Sequence, residues 1–229
     1  MVKYKIFFIL FIILIMIVLG NNAYAQPLSR EEERIGASKD VFLEMVSQED
    51  QAGAIGKLLE HASGIAIFPE LTKIGLGIGV QFGEGIVLRK DPETRKWYGP
   101  AFIEIKTASV GPQIGIQDVS LILIVMDQEG IDAFKNNDFH FGANISISPG
   151  PTEKTLQKIE DFNDSIYTYS HSEGIYAGFT LEGSVIHEDS NANQAFYGRS
   201  ITSKEVLEDK EPNNIIALKL IIEIEKVSN

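Results

Sequence analysis

Between Ile74 and Leu88 the chain alternates with a period of two. The even positions are Ile74, Leu76, Ile78, Val80, Phe82, Glu84, Ile86 and Leu88, and the odd ones are Gly75, Gly77, Gly79, Gln81, Gly83, Gly85 and Val87. Successive side chains of a β-strand point to opposite faces, so this spacing specifies a strand with one bulky apolar face and one of nearly bare backbone. Glycine weakens a strand, and a whole stripe of it implies tight curvature or close approach of another element. We read the stretch as the central strand or hairpin of a curved sheet or barrel. Its structural glycines are Gly75, Gly77, Gly79, Gly83 and Gly85, joined later in the chain by Gly178 and Gly183. A nucleotide-binding loop fails on spacing, because neither G-x-G-x-x-G nor G-x-x-x-x-G-K-[ST] fits these glycines.

The N-terminus sets the compartment. Lys3 and Lys5 precede an apolar run from Ile6 to Leu19, and Ala23-Tyr24-Ala25 follows, which reads as a secretory signal cut after Ala25. The run is shorter than the roughly 20 residues of a membrane span. Residues 26–229 then form one domain, and losing the two lysines moves the net charge from −12 to −14. An exported chain this acidic argues against nucleic acid as a partner and against purely electrostatic attraction to anionic membranes. With no cysteine, neither disulfides nor thiolate metal sites are available.

Taken in order, Ser29 with Glu32 makes a capping box, and Ile35, Val41, Phe42, Met45 and Val46 follow at helix spacing, predicting a helix over 29–47. Glu31, Glu32 and Glu33 in its first turn suit the helix dipole and favour a helix packed on the domain over one lying on a membrane. A second short helix ends near His61. Gly64–Phe68 reads as a brief strand stopped by Pro69, before the glycine-striped segment. Asp91–Thr94 is a turn. Separate strands are expected over Trp97–Ile105, Val110–Gln117 and Val119–Met126, then a helix over Gln128–Lys135. Alternation over 139–148 and 175–185 predicts two more strands, with a strand at Ser165–Tyr169 between them and a hairpin turn through Ser170–Gly174. Glu188–Gln194 reads as a polar loop, Thr202 with Glu205 as a second capping box, and Asn213–Val227 as a helix with Pro212 in its first turn.

Chemistry is sparse. His61 sits at a helix end, His140 on a polar strand face, His171 in a turn and His187 at a strand end, and none pairs with metal-ligand spacing. Asp189–Asn193 opens like a calcium loop but has Gln194 and Ser200 where glycine and glutamate are required. No G-x-S-x-G elbow occurs. No catalytic residue, metal or cofactor is therefore assigned. Trp97, Tyr98, Tyr167, Tyr169, Tyr176, Phe196 and Tyr197 lie near strand ends or turns, where such rings either close a core or rim a binding surface.

The order of motifs resembles the SYLF-domain family: GIAIFP and the glycine stripe, WYGPAFI, GPQIGIQ, VSLILIVMDQEGIDAF, FGANISISPGP, IYTYSHSEGIYAGFTLEGSVI and NANQAFYG. The resemblance covers roughly residues 35–205. It implies a non-enzymatic module that binds phosphoinositides or other anionic lipids, in some members through an N-terminal amphipathic helix, with some members binding actin filaments. Lys73, Tyr167, Tyr169, Gly178, Gly183, Phe196 and Tyr197 fall on family motif positions. Where the family carries basic residues in the late hairpin this chain has His171 and Glu173, and its first helix opens Arg30-Glu31-Glu32-Glu33-Arg34.

The expectation is an α+β domain: N-terminal helices, a mostly antiparallel glycine-rich curved sheet or barrel, and a C-terminal helix. The expected function is a non-catalytic lipid-binding module of the cell envelope, periplasmic or extracellular, with membrane lipid as partner through apolar and aromatic contact. The candidate lipid-binding residues are Lys39, Phe42, Lys73, Trp97, Tyr98, Tyr167, Tyr169, His171, Phe196 and Tyr197. The alternative is a scaffold that binds a protein through a sheet edge or aromatic patch. Export argues against actin.

Overall fold

The computed structural model describes residues 27–48, 51–136, 139–140, 145–155, 163–172 and 184–228, with side chains described throughout except at 75–78, 108–115 and 139–140. The predicted signal segment, Tyr176, Gly178 and Gly183 lie outside the described residues. Helix α1 (Arg30–Val46) begins at the expected capping box: Ser29 Oγ accepts from Glu32 N, and Ser29 N donates to the Glu32 carboxylate. It buries Ile35, Ser38, Phe42 and Met45 along one face, and α2 (Ala52–His61) follows.

The centre of the fold is one long antiparallel hairpin, β1 (Gly64–Lys90) and β2 (Trp97–Val125), paired from Gly64↔Val125 to Lys90↔Trp97. The strand expected to stop at Pro69 continues through it. Pro69 falls in the irregularity between Phe68 and Leu71, on a strand that among the described residues pairs only with β2, where a missing N–H leaves no gap in the ladder. The three strands expected over 97–126 are likewise one. Their glycines punctuate the strand without ending it, because β1 accompanies it along its length. At the tip, the Asp91 carboxylate accepts from the backbone of Glu93 and Thr94.

A straight 27-residue strand spans roughly 90 Å, yet the two ends of β1 meet. Lys90 N donates to Ser63 O at 2.8 Å. A Cβ on Gly85 would lie 2.6 Å from Ile67 O, one on Gly83 2.5 Å from Glu70 O, and one on Gly64 2.5 Å from Leu88 O. β1 therefore doubles back on itself, with register shifts at Phe68/Leu71, Leu76/Ile78 and Val87/Arg89 supplying the bends. Glycine is required where one arm's backbone touches the other.

The remaining strands attach to the free edge of β2. β6 (Val185–Glu188) pairs with 103–106, β5 (Ile166–Ser172) with 119–125, β3 (Phe139–His140) with β6, and β4 (Ile147–Pro149) runs parallel to β5. The sheet is thus mixed and curled, and the α+β expectation holds. His171 lies within β5, not in a turn. The expected 139–148 strand is described only at its two ends.

Helices α3 (Gln128–Lys135), α4 (Ser190–Tyr197), α5 (Ser203–Asp209) and α6 (Ile215–Val227) complete the chain. The segment read as a polar loop is α4. Asp189 caps it by accepting from Ala192 N, and Gly198 closes it at φ +68. α6 is the expected C-terminal helix, capped by Asn214, so Pro212 lies before it and not in its first turn. Two apolar layers result. The outer one sets Phe42, Leu58 and Leu220 of α1, α2 and α6 against Ile67, Ile86, Phe102 and Ile122. The inner one gathers Phe68, Leu71, Val87, Ile103 and Leu121 with Ile131 and Val206 of α3 and α5.

Candidate functional site

Most of the aromatic candidates close the core. Phe42, Trp97, Tyr167 and Tyr169 are at most 6% exposed and belong to the outer layer. Trp97 Nε1 donates to Glu225 at 3.2 Å, Asp164 N donates to the Tyr167 hydroxyl, and the Tyr169 hydroxyl donates to Pro151 O at 2.8 Å. Burial pushes the Tyr167 and Tyr169 hydroxyls above the ordinary tyrosine value. Gly150 lies flat on the Tyr169 ring, where a Cβ would come within 2.2 Å. Phe196 packs at 5.1 Å against Phe102 with the rings tilted by 57°, and the Tyr197 hydroxyl donates to Pro100 O. Tyr98 lies under the Arg89 guanidinium at 4.2 Å.

The polar candidates are dispersed. Lys39 pairs with its neighbour Asp40, half-buried Lys73 lies on β1, and His171 stands 3.4 Å from both Glu44 and Gln48. Gly83 and Gly85 are in the arm-to-arm contact, Gly75 and Gly79 pair with Gly115 and Ser109 of β2, and Gly77 falls at the register shift between Leu76 and Ile78. The ten candidate residues do not converge on one surface.

What does stand open is the outer face of the hairpin beyond α1. The even residues of β1 that follow the first bulge point to the side that the helices cover at Ile86 and Leu88. The cover ends at Glu84. There Arg30 and Arg34 of α1 bind the Glu84 carboxylate at 2.6 and 2.5 Å, and Arg34, only 7% exposed, also holds Asp189 at 3.0 Å with its guanidinium 5.3 Å from the Phe102 ring. Past that clamp, Phe82 is 46% exposed, Val80 47%, Ile74 41% and Ile116 74%. Ile116 is the cross-strand partner of Ile74. An adjoining cleft of about 410 Å³ is lined by Arg30, Glu33, Arg34, Pro69, Phe82 and Glu84.

Exposed large apolar side chains sharing one face of a sheet make that face the candidate interaction surface. The alternation shows these residues sharing a face, but nothing local in the sequence says how far α1 covers it. The cluster of Arg34, Glu84 and Asp189 was also missed, because Glu84 and Asp189 lie 50 and 155 residues from Arg34 in the chain. Asn193 is fully buried and grips the β2 backbone, with Oδ1 accepting from Phe102 N at 2.9 Å and Nδ2 donating to Phe102 O at 3.2 Å. Among the described residues no group of His, Asp or Glu is arranged to hold a metal ion, and no helix is long and apolar enough to cross a membrane.

The comparisons with known proteins agree with this frame. The SH3 domain-containing YSC84-like protein 1 of Bos taurus is 29% identical over 191 residues, 82% of this chain and 55% of its own. That of Xenopus laevis is 32% identical over 66% of this chain and 45% of its own, and Protein YSC84 of Saccharomyces cerevisiae is 29% identical over 66% of this chain and 33% of its own. The chain therefore spans about half the length of its animal relatives and a third of the yeast one. A family profile described as "Ysc84: Las17-binding protein actin regulator" matches residues 106–227, just over half the chain. With the hairpin and its closing helices in place, this chain belongs to the Ysc84 family, the SYLF-domain proteins.

Proposed function

We propose that the chain is a non-catalytic lipid-binding module of the cell envelope, exported and peripheral on a membrane, that docks through the outer face of its hairpin. The supporting observation is the exposed set Ile74, Val80, Phe82 and Ile116. Burying a half-exposed apolar side chain in lipid contributes about 1 kcal/mol, so four give reversible attachment that owes little to charge. This suits an exported chain whose net charge goes from −12 to −14 once the signal lysines are lost. Vesicle flotation tests it. The wild type floats with neutral and anionic phospholipid alike and depends weakly on salt, while Val80→Asp with Phe82→Asp stays at the bottom of the gradient. Absence of flotation at every composition, or equal flotation of the variant, rejects the proposal.

The second reading is a scaffold for a protein partner. It is supported by the names of relatives, among them the yeast LAS seventeen-binding protein 3, and by the family description. Capture of one stoichiometric protein from envelope extract, abolished by the same double variant, favours it over lipid. Actin is disfavoured here by the predicted export signal, and co-sedimentation of the chain with filaments would overturn that view.

A further inference from the structure

The cleft beside the Arg34–Glu84 clamp is lined in part by groups that the clamp does not use. Its apolar lining is Phe82, Pro69 and Ala37, and Phe82 also belongs to the exposed face of the hairpin, so cleft and face adjoin. The charged lining sets Arg30 and Arg34 against Glu33, Glu70 and Glu84. Both arginines bind Glu84, and Arg34 also holds Asp189. Glu33 and Glu70 are exposed and, among the described residues, belong to no ion pair. Glu70 has the Thr72 hydroxyl at 3.5 Å, but that hydroxyl's single proton is better placed on Asp118 at 2.8 Å. Arg30, with its side chain 72% exposed, meets Glu84 through Nη2, which leaves other N–H donors of the guanidinium open.

At about 410 Å³ the cleft is in the range that holds a small organic group. Its open carboxylates and aromatic ring call for a cation that donates hydrogen bonds, and its open guanidinium calls for an anion joined to that cation. A bare metal ion fits poorly, because among the described residues no group of His, Asp or Glu is arranged to hold one. A purely anionic headgroup fits poorly too, because carboxylates outnumber arginines in the lining. We propose that the cleft binds the phosphoethanolamine headgroup of a phospholipid, its ammonium at Glu33 and Glu70 beside Phe82 and its phosphate on Arg30. A choline headgroup has the same net charge but no N–H to donate. The inference rests on the lipid reading of the outer face and adds to it a choice among headgroups.

The test compares flotation of the full chain with vesicles of phosphatidylcholine alone and of phosphatidylcholine mixed with phosphatidylethanolamine. The wild type partitions about fivefold more tightly into the mixture, the scale of one exposed charged contact. The double variant Glu33→Gln with Glu70→Gln partitions into the two alike. Equal partitioning of the wild type, or a preference that survives the double substitution, overturns the cleft assignment and leaves the outer face standing. Where no vesicle retains the chain, the outer face falls, and soluble headgroups decide the cleft through the amide NMR shifts of residues 33 and 70. Saturable shifts with glycerophosphoethanolamine, absent with glycerophosphocholine, keep the assignment; no shift, or equal shifts with both, overturns it. Equal shifts with butylamine, which carries the ammonium without the phosphate, assign the cleft to a lysine of a protein partner and overturn it as well.

Discussion

At the scale of single residues, two glycines of the same chain call for opposite outcomes. On Gly85 a methyl group would meet Ile67 O at 2.6 Å and the Phe68 ring at 2.6 Å, and backbone oxygen cannot step aside. Gly85→Ala is expected to destabilise by about 2–3 kcal/mol, as overpacking does. On Gly36, within α1, a methyl group meets nothing within 4 Å, and alanine is the better helix former. Gly36→Ala is expected to stabilise by about 0.5–1 kcal/mol. Urea unfolding of the two variants checks both signs. Arg34 is the other informative residue. Arg34→Met strands Asp189, whose side chain is 15% exposed, beside a half-exposed Glu84. The cost expected is about 2–3 kcal/mol, below that of breaking a fully buried pair because Glu84 keeps water. Adding Asp189→Asn recovers part of it, since the amide can still cap α4 without a stranded charge.

At the scale of elements, what the sequence shows well is whatever is stored locally. The capping boxes at Ser29 and Thr202, the turn at Asp91 and the apolar spacing of α1 and α3 each lie within a few residues and are found where expected. What it hides is non-local. The break at Pro69 disappears because β2 runs alongside, and α4 was overlooked because its start at Asp189 and its end at Gly198 bracket a polar stretch with few apolar marks. The same local carboxylates carry a pH dependence. Backbone hydrogen bonds from Ser29, Thr94 and Thr202 hold Glu32, Asp91 and Glu205 below their ordinary values of 4.5, 3.8 and 4.5. A depressed folded value lends stability that is complete above the unfolded value and lost as pH falls through the folded one. The urea midpoint of the wild type should therefore drop between pH about 5 and 3. A variant carrying alanine at all three positions should start lower and fall less steeply. Parallel acid limbs would show that these caps do not set the acid response.

At the scale of the whole molecule, one hairpin doubled on itself yields two unlike faces. The inner face is closed by α3 and α5, and the outer face is covered by α1, α2 and α6 only as far as the Arg34–Glu84 clamp. The curvature was legible in the glycine stripe. The exposed apolar face was not, since most of the rings proposed to rim a binding surface are needed inside and nothing local in the sequence says where the helices stop covering the strand. The chain contains no cysteine, so a single introduced thiol can carry an environment-sensitive label without competition. The most direct measurement places that label at Val80→Cys, at Ile116→Cys and at the exposed Lys204→Cys on α5, then adds vesicles containing a lipid-borne quencher. The account predicts quenching at 80 and 116 and none at 204; equal response at all three positions, or none at any, would contradict it.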